Sequence, residues 1–242
     1  MITQRSQEKE LLDLGPDYYS SEEYAHCMEM LFRVNKFLGF FSGTVRLLKQ
    51  FPKNSSLVDI GCGGGLFLLH LHKHFPLMQL IGQDISHQAI ELAQQQLQVW
   101  QKKIAGMMNI SFQWQSSGAL TLPKNSVDII LATMVCHHLT DHELIEFLRQ
   151  AITVARSAVI INDLQRSSLA QRLYALISPL LFQNRLITHD GLISIRRGFT
   201  RTEWHLIMSR ANIKNYEIKW CFPFRWRIVI RTREEMLHPI DG

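Results

Sequence analysis

Cysteine is scarce in this 242-residue chain. Its four cysteines, Cys27, Cys62, Cys136 and Cys221, lie far apart and form no C-x-x-C pair. That excludes a cysteine-built zinc site and a small disulfide scaffold, and it fits reduced thiols in the cytoplasm. No apolar run reaches the roughly 18 residues of a membrane-spanning helix. The opening stretch, MITQRSQEKELL, lacks the apolar core of a secretory leader. There is no repeat and no low-complexity tract. Charged residues make up only 19% against 46% hydrophobic, which suits one large α/β domain. The net charge of +5 is scattered along the chain, which argues against a nucleic-acid-binding face. The last third is richer in arginine (Arg166, Arg172, Arg185, Arg196, Arg197, Arg201, Arg210) and would suit an acidic partner or peripheral contact with membrane headgroups.

What is present is an alternation of strands and helices. Residues 1 to 12 read as a frayed start. Ser20 to Phe51 carries a cap signal and helical apolar spacing, with breaks expected at Gly39 and Gly43. SLVDIG, MQLIGQDI, ISFQWQ, VDIILATMV and SAVIINDL read as five strands, separated by helical segments of which one is capped by Ser86 and another opens at Thr140. Strands that are continuously apolar and alternate with helices predict a parallel sheet covered on both faces. Residues 164–199 interrupt that rhythm with an apolar helix that meets Pro179, then a polar loop, THDGLISIRRG. Such an excursion is expected to act as a lid over a site. A Thr200…Glu203 capping box opens a further helix, and YEIKW and FRWRIVIRT close the chain as strands. The expected division is a helical cap over 1–52 and a main domain over 53–242.

Four glycines, Gly61, Gly63, Gly64 and Gly65, follow the first strand directly. In an open parallel sheet that is where a ligand meets backbone. A dinucleotide site wants G-x-G-x-x-G, but Leu66 stands at the third glycine. Asp59, just ahead of the turn, would also repel a pyrophosphate. A cationic, phosphate-free ligand reverses that logic, because the carboxylate then attracts. Asp84, at the end of the second strand, is placed to accept hydrogen bonds from a ribose diol, and Ile85 to pack on a purine.

The spacing D-x-G-x-G-x-G over Asp59, Gly61, Gly63 and Gly65 resembles motif I of the class I S-adenosylmethionine-dependent methyltransferases. LPKNSVDIILATMVCHHLTD resembles the fourth-strand region of the ubiquinone/menaquinone-biosynthesis type, with Asp128 before the apolar run and His138-Leu139 near the cleft. The resemblance covers about residues 55 to 163. It implies a doubly wound, mostly parallel seven-stranded α/β sheet of Rossmann-like form, with one antiparallel strand near the C-terminus. It also implies S-adenosylmethionine as donor and S-adenosylhomocysteine as product. Thr133, at the end of the fourth strand, falls among the donor-binding positions. Relatives hold the adenine amino group with an Asp-Ala pair. Here Gly118 and Ala119 stand in that slot, so recognition falls to a backbone carbonyl or to the adjacent Ser117.

Methyl transfer is a displacement at carbon, so a protein supplies proximity and alignment, with a base only where the acceptor carries a proton. His138 and Asp163 are the catalytic candidates, beside His137 and Asn162. His189, Asp190, Arg196 and Arg197 could hold an anionic or phenolic acceptor. No metal is expected: Ala132-Thr133, at the end of the fourth strand, offer no carboxylate, and His70 and His74, one helical turn apart, lack an acidic partner. The expected acceptor is a small apolar molecule with a hydroxyl or enol, methylated on oxygen or carbon. The rivals are a nucleic-acid methyltransferase that uses the basic last third, and a cofactor-binding protein of the same fold without catalysis. An Asn/Asp-Pro-Pro-aromatic signature and a paired-glutamate loop are both absent, which argues against adenine-amino and arginine methylation.

Overall fold

The structure is a computed structural model that describes residues 4–103 and 108–232. Seven strands form one sheet in the order β3-β2-β1-β4-β5-β7-β6. These are β1 (Ser56–Ile60), β2 (Gln79–Asp84), β3 (Ile110–Trp114), β4 (Val127–Thr133), β5 (Ala155–Leu164), β6 (Tyr216–Cys221) and β7 (Arg225–Arg231). The first five run parallel, and β7 is antiparallel to both β5 and β6. The expected architecture, including its single reversed strand, is therefore present.

The helices are α1 (Ser21–Phe37), α2 (Phe40–Leu48), α3 (Leu66–His74), α4 (His87–Lys103), α5 (Asp141–Val154), α6 (Ser168–Leu181), α7 (Arg185–Arg197) and α8 (Arg201–Arg210). Reciprocal capping boxes open α1 (Ser20, Glu23), α5 (Thr140, Glu143) and α8 (Thr200, Glu203). One core lies between the sheet and α5 with α8, around Leu148, Phe199 and Trp204. The other lies under α2, α3 and α4, around Leu48, Leu68 and Leu80. Both faces of the central strands are thus buried, which is why β1, β4 and β5 read as unbroken apolar runs.

Three expectations need correction. Gly39 does break the first helical stretch, with φ at 70°, but Gly43 lies inside α2. Its lack of a side chain admits Arg227, whose guanidinium would meet a Cβ there. THDGLISIRRG is not a loop but most of α7. Asn184 caps this helix, and Leu186, Ile187 and Ile193 bury its inner face, while Gly191 leaves room for the Tyr174 ring. The opening segment is not frayed from residue 4 onward. It runs through a 3₁₀ turn at Leu11–Leu14 and is tied down by Arg5, Glu10 and Asp13. Residues 1–3 of that segment, the end of the helical stretch at 104–106 and the tail at 233–242 lie outside the described residues.

Candidate functional site

A cavity of about 850 Å³ opens at the carboxyl ends of β1 and β4, the position at which open α/β sheets bind ligands. Its floor is the glycine turn. Gly61 and Gly65 have φ of 68° and 74°. A Cβ at Gly61 would come within 2.4 Å of Val135, and one at Gly65 within 2.5 Å of Phe112. Only glycine fits both positions, on conformation and on space.

Asp59 lines this cavity, is 2% exposed, and has no hydrogen-bond partner for Oδ1. Burial, and then the neighbouring Asp84 charge, push its carboxyl up to about 8. A buried acid with an unsatisfied oxygen is costly unless a cation or donor comes to it. Asp84 closes β2. Its Oδ2 accepts from the Gly63 amide at 2.9 Å and its Oδ1 from the Ser86 amide at 2.9 Å. The carboxylate therefore braces the turn from the side. Burial raises its pKa, with these amides pulling the other way. Ile85 beside it is 63% exposed, a free apolar face. Trp114 donates from Nε1 to the Ile85 carbonyl and stacks on His87.

Thr133 and His138 also line the cavity; Asp84 and Ile85 do not, nor do Ser117, Gly118 and Ala119. Those three are exposed on the segment after β3, which the Gln115 amide ties to the Asp84 carbonyl at 2.9 Å. Asp163 is fully buried behind the wall. Its Oδ1 lies 2.7 Å from His137 Nδ1 and also accepts from the Leu164 amide, while Oδ2 accepts from the His137 amide. The expected contact between Asp163 and an acceptor hydroxyl is thus corrected, since its oxygens are spent on His137 and its own strand. Asp163 thus holds the His137 ring, and His137 is the side chain that reaches the cavity. Asn162, also fully buried, bonds Thr44 and Thr133 instead.

Sequence reasoning missed Glu10. This buried carboxylate lies in the cavity wall, with Oε1 3.6 Å from His137 Nε2 and Oε2 3.9 Å from His138 Nε2. Asp13 Oδ1 lies 2.8 Å from His138 Nδ1. Desolvation lowers the pKa of His137, but Asp163 and Glu10 outweigh it and hold the imidazole up at about 10. Glu10 is in turn pulled below its ordinary range by the histidines and by Ser194, against the effect of its own burial. The clue in the sequence was a lone acidic pair in an otherwise polar opening, which has no period to betray it.

The acceptor-holding role expected of four residues after α6 is corrected too. Asp190 accepts from the Leu11 and Leu12 amides, and His189 bonds Asp190. Arg196 pairs with Glu8 and Arg197 with Asp13. These side chains clamp the N-terminal segment onto the site. Arg225, like Arg33, is a cation in the cavity wall. It is 6% exposed, bonded to Asn35 and stacked on Phe40, with Nε and Nη1 unpaired. His70 and His74 lie edge to face on α3, and burial pushes His70 down to about 4. No carboxylate joins that pair among the described residues grouped by metal-ligand geometry.

Residues 57–158 match the family model described as a methyltransferase domain. An uncharacterized methyltransferase of Schizosaccharomyces pombe is 30% identical over 96 residues, covering 39% of this chain and 34% of that protein. The chain thus aligns with about a third of that relative's length. Human N-acetylserotonin methyltransferase in complex with S-adenosylmethionine superposes with a TM-score of 0.62 at 19% identity, over 88% of this chain and 57% of that one. A plantazolicin methyltransferase, solved with S-adenosylhomocysteine and a monoazolic desmethyl analogue, also gives 0.62 at 18% identity, over 89% and 90% of the two chains. The chain therefore carries, across residues 57–158, a methyltransferase domain with the fold of the class I S-adenosylmethionine-dependent enzymes.

Proposed function

We propose that this protein transfers a methyl group from S-adenosylmethionine to a small apolar acceptor that bears a hydroxyl or enol. The observation that carries the reading is Asp59, a buried carboxylate with an unsatisfied oxygen in the wall of a cavity floored by glycine. The donor set fits the ligand: carboxylates and bare amides suit an ammonium and a sulfonium and would repel a pyrophosphate. S-adenosylmethionine supplies an activated methyl group, with S-adenosylhomocysteine as product. Asp59 and the main chain of Gly61, Gly63 and Gly65 would hold its amino-acid end, with Thr133 beside them. Asp84 would accept from the ribose hydroxyls and Ile85 would cover the adenine, whose edge falls to Ser117, Gly118 and Ala119.

The acceptor's place is the apolar remainder of the cavity, walled by Met28, Leu31, Phe41, Leu173, Ile177 and Leu181. The acceptor's oxygen would meet Glu10, His137 and His138, where its proton is removed. Asp163 fixes the ring of His137 and Asp13 that of His138. Residues 164–199, which form α6 and α7, would act as the lid. The outer side of α6 exposes Leu169, Leu176 and Leu180. That face favours an acceptor of low water solubility taken from a membrane surface. A nucleic-acid acceptor is disfavoured because Trp204 and Trp226, two of the three tryptophans in the last third that could stack on bases, are buried.

The test is calorimetric titration with the donor and with its demethylated product, followed by a metabolite screen with labelled donor. Asp84→Ala is expected to weaken donor binding by about 1.5–3 kcal/mol, the cost of losing hydrogen bonds to a charged group. Unchanged affinity in that variant ends the ribose assignment. No binding by the unmodified protein at millimolar donor ends the whole reading.

A further inference from the structure

Two imidazoles face one carboxylate in the acceptor half of the cavity. His137 and His138 adjoin in sequence, and their rings lie 4.2 Å apart, centroid to centroid. Each presents Nε2 toward Glu10, at 3.6 Å and 3.9 Å. Both separations are too long for a hydrogen bond. Each ring is also held from behind: Asp163 sits 2.7 Å from Nδ1 of His137, and Asp13 2.8 Å from Nδ1 of His138. The backbone around them is fixed, because Arg197 donates to the carbonyls of both histidines and pairs with Asp13.

A carboxylate on the rear nitrogen, with the front nitrogen turned to a shared point, is how metal-binding histidines are oriented. The one-carboxylate, two-histidine donor set is that of hydrolytic zinc sites. Ligand bonds of about 2.0–2.2 Å at tetrahedral to octahedral angles put donor atoms roughly 3–3.5 Å apart. The two observed gaps to Glu10 exceed that spacing by less than about 1 Å. One ligand atom from each of the three residues falls within a 4.8 Å span.

We propose that Glu10, His137 and His138 bind a divalent first-row metal ion, zinc by donor type, with its open position facing the acceptor cavity. The inference rests on the methyltransferase reading for its purpose. An acceptor hydroxyl coordinated there gives its proton to bulk water and keeps the O–H electron pair, so it is presented as an oxyanion. Zinc needs no change of oxidation state to do this.

The experiment measures metal and donor binding separately. Protein stripped with a chelator is titrated with zinc sulfate by calorimetry, and the cobalt(II) form is examined for visible d–d absorption. One equivalent should bind, with tetrahedral or five-coordinate cobalt bands. Glu10→Gln and His138→Ala should abolish stoichiometric uptake, Asp13→Asn should weaken it about 10–100-fold, and His74→Ala should leave it unchanged. Donor titration in each variant shows that the fold persists, since none of these residues belongs to the proposed donor site. Absence of zinc uptake with donor binding intact overturns the metal site and leaves the methyltransferase reading standing. Uptake that survives both Glu10→Gln and His138→Ala also overturns the assignment. Metal binding without donor binding would overturn the methyltransferase reading alone.

Discussion

Asp59 shows how one side chain can record an absent partner. Burial and the nearby Asp84 raise its pKa from an ordinary 3.8 to about 8. An acid raised in the folded state holds its proton there while the unfolded chain has lost it. Stability therefore falls as pH climbs from about 4 to about 8, and the full penalty stands above that window. Asp59→Asn removes the penalty. In the absence of donor, the variant should melt higher by the equivalent of about 1–3 kcal/mol at pH 8, with the gain vanishing near pH 4. Its donor affinity should fall over the same range. Paired thermal melts and donor titrations across pH read both effects, and a variant less stable than its parent at pH 8 would refute the account.

At the scale of elements, the amino ends of three strands are tied by one polar knot. Asp128 on β4 accepts from the Ser56 amide and hydroxyl on β1, and from Arg156 Nε on β5 at 2.7 Å. Arg156 is the main cause of a pKa for Asp128 lowered to about 2. A depressed carboxyl contributes stability above its unfolded value near 3.8, which is lost as pH falls through about 2. Asp128 and Arg156 side chains are 25% and 34% exposed, so the contribution is screened. Asp128→Asn should cost about 1 kcal/mol at neutral pH and almost nothing at pH 2, as read from urea midpoints. This knot lies at the end of the sheet away from the cavity, so donor affinity should not change. The opposite edge of the same strands carries the site, and there the glycine turn, Thr133 and the two histidines are set by where β1 and β4 end.

For the molecule as a whole, the cavity is a joint product of distant parts of the chain. Glu10 comes from the opening segment, Asp59 from β1, His137 and His138 from the segment after β4, Tyr174 from α6 and Arg225 from β7. Its walls are largely aliphatic and aromatic, so acceptor binding should follow apolar area. In a homologous series of alkyl-substituted phenols, each added methylene should strengthen binding by about 0.8 kcal/mol, roughly fourfold in KM, until the chain emerges from the cavity and the gain stops. A flat series would show that the apolar volume is not where the acceptor sits.

The sequence by itself determined the sheet and the places of the residues proposed to hold the donor. Strand and helix periods are local, and Asp59, Gly61, Gly63, Gly65 and Asp84 lie at the ends of consecutive strands, where chain order and spatial order coincide. Only the tertiary structure decided the half proposed for the acceptor. Glu10 and Asp13 reach His137 and His138 across more than half the chain, through a segment with no periodic pattern. α7 read as a loop because Asp190, Arg196 and Arg197, polar in composition, find their partners in that same segment. Pairings of this kind are fixed by packing and charge between remote elements, and no local run of residues records them.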